Sequence, residues 1–105
     1  MGYDLMVLDS TRSARLAFVE LDMAEWGAAW DASRLRSLPM LKSLPDFYGD
    51  ERTFPSVKVH ALISELDLLD SDLAASAELV RASQKLREIA RAAIKHALPL
   101  LVVPD

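Results

Sequence analysis

Three side chains in the middle of the chain have the types and spacing of an acyl-transfer site. His60, Ser64 and Asp67 follow one another at four and three residues, so on a helix all three share one stripe. A serine nucleophile also needs donors for the developing oxyanion and an exposed turn, commonly the G-x-S-x-G elbow. No glycine pattern of that kind flanks Ser64, and the expectation is a solvated helix face with no catalytic residue. The enzymatic or ligand-binding alternative places His60, Glu65 and Asp67 around a pocket completed from elsewhere in the fold.

The acids Glu65, Asp67, Asp70 and Asp72 suggest a hard-cation site, because such ions want several oxygens converging on one point. Their spacing lacks the central glycine of a calcium loop and suits helix capping instead. His96 stands alone, and with no cysteine in the chain zinc would find few ligands. Gly2, Gly27 and Gly49 are isolated, so no phosphate-cradling loop is present. The expectation is therefore no metal and no cofactor, and an enzyme is the less favoured class.

Two stretches offer binding surfaces. Arg87, Arg91 and Lys95 recur every four residues, but a net charge of -4 argues against a nucleic-acid binder, and a solvated helix face partly paired with Glu78 and Glu88 is expected. The segment holding Asp46, Phe47, Tyr48, Asp50 and Glu51 is the better candidate for a partner-binding surface. Aromatic residues anchor protein interfaces, and the neighbouring acids would steer toward a basic partner, for instance a basic toxin.

These residues must be positioned by elements whose periods are legible. Tyr3, Leu5 and Val7 alternate with Asp4, Met6 and Leu8, which predicts a first strand over residues 3–8. Residues 13–21 fit two patterns: Ala14, Ala17, Phe18 and Leu21 share a helical face, while Leu16, Phe18 and Glu20 alternate with Ala17, Val19 and Leu21 as a strand with one partly exposed face. The capping-box spacing of Asp22 and Glu25 starts a helix at once and so favours a hairpin. That helix, over residues 23–35, aligns Met23, Trp26 and Trp30, with both tryptophans expected in the core.

Pro39 and Pro45 leave room for one helical turn between them, and residues 46–55 read as a surface loop. Over residues 57–69, Val59, Leu62, Ile63, Leu66 and Leu69 face inward, with Glu65 and Asp67 nearer solvent. Residues 71–97 form the longest amphipathic run, capped by Asp70 or Ser71 and about 40 Å long as a helix. Its apolar arc is Leu79, Ala82, Leu86, Ile89, Ala90, Ala93 and Ala97. The alanines at 82, 90, 93 and 97 would let a second copy approach closely, which makes a homodimer or oligomerisation module the third functional reading. Pro99 ends the helix, and residues 100–103 suit a buried strand returning beside the first.

The expected fold class is therefore α+β: one domain over residues 1–105, with a small sheet from an N-terminal strand or hairpin and the C-terminal strand, packed with about three helices. A composition of 51% hydrophobic and 27% charged residues supports one globular core. No secretory pattern opens the chain and no apolar run is long enough for a membrane span, so the expected location is cytoplasmic.

The opening Gly-Tyr-Asp-Leu-Met-Val-Leu at 2–8, Glu-Leu-Asp-Leu-Leu at 65–69 and the ending from Ala93 to Asp105 resemble small uncharacterised bacterial proteins, some of them similar to toxin-immunity proteins. The resemblance implies a non-enzymatic intracellular protein-binding domain, of the immunity or antitoxin-like inhibitor kind, and carries over no functional residue.

Overall fold

The computed structural model describes residues 2–44, 51–70 and 76–104. The chain begins as an antiparallel hairpin of β1 (Gly2–Leu8) and β2 (Arg15–Asp22). Gly2 is required by the close approach of the two strands, because a Cβ there would lie 2.0 Å from the Leu21 carbonyl oxygen. The chain then turns directly into α1 (Met23–Leu35) through a complete capping box. The Asp22 carboxylate accepts from the Glu25 N–H at 2.7 Å, and the Glu25 carboxylate accepts from the Asp22 N–H at 3.0 Å.

The remaining elements are α2 (Pro39–Ser43), β3 (Arg52–Phe54), α3 (Ser56–Asp70), α4 (Ala77–His96) and β4 (Leu100–Pro104). The sheet is antiparallel throughout, in the order β2-β1-β4-β3, so β4 does return beside β1. The fold is α+β in two layers. Tyr3, Leu5, Val7, Val19, Leu21, Leu100 and Val102 line the sheet face that meets α1 and α4, while α3 packs on α4 and α2 bridges α1 to α3.

The structure corrects several expectations. The loop expected over 46–55 contains β3, whose three residues are too few to show an alternation; Phe54 is buried in the core. Helix α4 starts at Ala77, later than expected, because Ser76 is extended (ψ 163°) and its hydroxyl accepts from the Leu79 N–H. Asp70 instead ends α3. Its 20 residues make α4 about 30 Å long rather than 40. Ala97 is exposed and left-handed (φ 54°), so the helix is already closed two residues before Pro99. Ala82, Ala90 and Ala93 are fully buried within this chain, which removes that face from any contact with a second copy.

Of the aromatic stripe on α1, only Trp26 is fully buried, its ring 5.0 Å from Tyr3; Trp30 is half-buried under the Arg34 guanidinium and Met23 is exposed.

The largest departure is Glu65. It faces inward from α3 and accepts the Met40 and Leu41 N–H groups at 2.9 and 2.8 Å, supplying the partners that the first turn of α2 cannot find within itself. Replacing it by an apolar residue strands two buried donors. Glu65→Leu is expected to lower unfolding stability by about 2–4 kcal/mol, read from urea denaturation with an unchanged slope.

Candidate interaction surface

The residues suggested for chemistry do not converge. His60, Ser64 and Asp67 lie on the exposed side of α3, where the Ser64 hydroxyl donates to the His60 carbonyl at 3.4 Å and Asp67 pairs with Arg87 at 2.7 Å. Glu65 points the opposite way, so the pocket imagined around His60, Glu65 and Asp67 is not assembled. Asp70 accepts from Ser83 at 2.8 Å and also holds Arg87. Among the described residues no group of three or more His, Asp or Glu is placed to hold a metal ion.

The basic side of α4 serves to clamp the helix layer. Arg87 reaches α3, and the Asp67 hydrogen bond, aided by Asp70, raises its pKa above the ordinary guanidinium value against the effect of burial. On the other flank, Lys85 and Arg81 reach Glu25 of α1 at 2.8 and 3.5 Å. Arg91, Lys95 and His96 remain exposed in the last turns. Asp46, Phe47, Tyr48 and Asp50 lie outside the described residues. Glu51 is exposed and takes an ion pair from Arg12 at 3.2 Å.

What the structure adds is the second face of the sheet. Side chains alternate across a strand, so the residues between the core positions point away from the helices. These are Asp4, Met6 and Leu8 of β1, Phe18 and Glu20 of β2, Thr53 of β3, and Leu101 and Val103 of β4. Among the described residues no helix covers them, but Leu101 is itself buried at 6% exposure, so the open apolar part of the face lies on the β1–β2 side. Phe18 keeps 41% of its surface and the adjacent Leu16 43%, with Met6 directly opposite Phe18.

A bulge shapes one end of this face. Ala17 pairs with Val7, but Leu8 pairs with Arg15, so Leu16 is the extra residue and Arg15 joins the outer side. The Arg15 guanidinium lies 4.7 Å above the Phe18 ring, a cation–π stack. The turn beyond is built by Asp9, whose carboxylate accepts from the Ser13 N–H at 2.9 Å, the Thr11 hydroxyl at 3.0 Å and the Ser13 hydroxyl at 3.1 Å. The Ser13 N–H is the main reason that the Asp9 pKa is lowered. This turn holds Arg12 in the left-handed region (φ 59°), from where its side chain reaches Glu51. A cavity of about 280 Å³ lies at this end, with Leu8, Ser10, Arg12, Thr53 and Leu101 among its walls.

No family model matches the chain, and neither the curated proteins nor the solved structures contain a match to it. No described helix is long and apolar enough to cross a membrane.

Glu25 joins three elements, and its ionisation follows from that geometry. Burial opposes the charge, but the Lys85 hydrogen bond, the Asp22 N–H and the Lys85 charge outweigh it, and the pKa is lowered from 4.5. A carboxyl lowered on folding stabilises fully above its unfolded value, and the contribution is lost as pH falls through the folded value. Glu25→Gln should therefore cost about 1–2 kcal/mol at neutral pH, the difference from the natural chain holding down to about pH 5. Below 4.5 the two stabilities should converge in pH-dependent denaturation. A gap that widens in acid would contradict this assignment.

Proposed function

We propose that this chain is a protein-binding domain rather than an enzyme, and that it docks through the outer face of its sheet. The observation carrying the proposal is the pairing of Phe18 with Met6 beside Leu16 on a face that no described helix covers, with Phe18 and Leu16 each more than two-fifths exposed. Single exposed apolar residues are ordinary, whereas contiguous ones on a rigid sheet mark interaction sites. A flat face of this kind orients no nucleophile, base or oxyanion donor, and Glu25, Asp67, Asp70, Lys85 and Arg87 are engaged in ion pairs that hold the helix layer. Glu51, the one described residue of the acidic aromatic candidates, is held by Arg12 of the turn between β1 and β2. An inhibitor of the toxin-immunity kind belongs to the same class, since such a protein acts by covering its partner.

The test is a photoreactive benzoylphenylalanine in place of Phe18, with the same probe at Val57 as a control, which is 74% exposed on α3. Irradiation in the expressing cell is expected to give a covalent protein adduct from position 18 and none from position 57. No adduct from position 18, or equal adducts from both, would remove the sheet face as the docking surface.

A further inference from the structure

Resting on that reading of the sheet face, we infer that its occupant is a second copy of this chain, stacked face to face about a two-fold axis that crosses the strands at Phe18. The argument is the arrangement of charge about Phe18. In the pairing register Phe18 lies opposite Met6; two steps toward the Gly2 end Glu20 lies opposite Asp4, and two steps toward the other end Arg15 lies opposite Leu8. The bulge creates this symmetry, because without it Leu16 would occupy the position opposite Leu8 and Arg15 would fall on the core side. At about 3.4 Å per residue, the acid and the base stand equally far, roughly 7 Å, on either side of the Phe18 row.

A two-fold axis between the stacked sheets and perpendicular to the strands reverses strand direction. Swung off its own Phe18 ring, on which it stacks in the single chain, Arg15 then stands over Glu20 of the partner subunit, and by symmetry the contact occurs twice. An axis running along the strands would set arginine over arginine and acid over acid, which like-charge repulsion disfavours. Phe18 and Met6 meet their own copies at the centre. Four strands about 4.8 Å apart and averaging about six residues offer roughly 400 Å² of sheet on each copy, about 800 Å² in all, the size of a weak, transient contact. Association is therefore weak and concentration-dependent, with a Kd in the micromolar range or weaker.

Sedimentation of the natural chain across that concentration range should show a monomer passing to dimer. Arg15→Glu and Glu20→Arg, both at exposed positions, each place like charges at both contacts and should weaken the dimer at least tenfold while leaving circular dichroism unchanged. Mixed together, the two variants should form a heterodimer: the new carboxylate of one meets the new guanidinium of the other, and the natural Arg15–Glu20 pair forms at the second contact. One chain carrying both exchanges should regain self-association. A natural chain that stays monomeric throughout, or variants that fail to combine when mixed, would overturn the second copy as occupant. In that event an adduct of the Phe18 probe with a different protein would leave the docking face standing, and its absence would remove both.

Discussion

The buried carboxylate of Glu25 is the constraint from which the helix layer takes its orientation. At 1% exposure it must be ionised or neutralised among partners, and it gathers the Asp22 N–H, the Lys85 ammonium and the Arg81 guanidinium around it. Those partners come from the end of β2 and from the middle of α4, so one side chain sets both the entry angle of α1 and the position of α4 beside it. Apolar packing alone is non-directional and would tolerate α4 sliding along the sheet. Arg87 completes the restraint on the opposite flank through Asp67 and Asp70. With α4 held between α1 and α3, Leu86, Ile89, Ala90 and Ala93 are committed to the interior.

Committing the apolar face of α4 in this way leaves the sheet with one covered and one open side. Antiparallel sheets commonly solvate their open side with polar residues. Here the pairing Phe18 with Met6 and the residues Leu16, Leu8 and Val103 make it largely apolar, while Arg15, Asp4 and Glu20 confine charge to its two ends. The bulge at Leu16 turns a simple alternation into a face whose charges are balanced about its centre.

Much of the architecture was legible because the periods are long. The hairpin, α1 with its capping box and α3 follow from alternation or helical spacing over six or more residues, and the return of β4 beside β1 from the short apolar run after Pro99. What escaped is instructive. Three-residue β3 shows no period, and its place is set by pairing with β4. Glu65 sits in a helical window that reads as solvent-facing by composition, yet two N–H groups of α2, some 25 residues earlier in the chain, draw it inward. The start of α4 depends on the extended conformation of Ser76 rather than on the amphipathic pattern, which continues past it. The sheet face had a trace in the sequence, since Met6 and Leu8 make both sides of β1 partly apolar and β4 has no polar residue at all. That trace cannot be separated from ordinary core formation until the side bearing the helices is known.

One detail of β2 bears on how far any association of this chain can proceed. It is one of the two outer strands, the other being the three-residue β3, and an outer strand displays backbone groups that can recruit a further strand, and then another. Lys85 Nζ sits on the Glu20 carbonyl at 2.9 Å, and the Glu25 carboxylate occupies the Asp22 N–H. The Glu20–Asp22 end of this border is thus stoppered by side chains of the helix layer, and an incoming strand would have to displace a buried ion pair to extend the ladder there. Growth into a fibril from the β2 border is obstructed at this end, whereas a two-fold contact on the flat of the sheet closes on itself and ends at two.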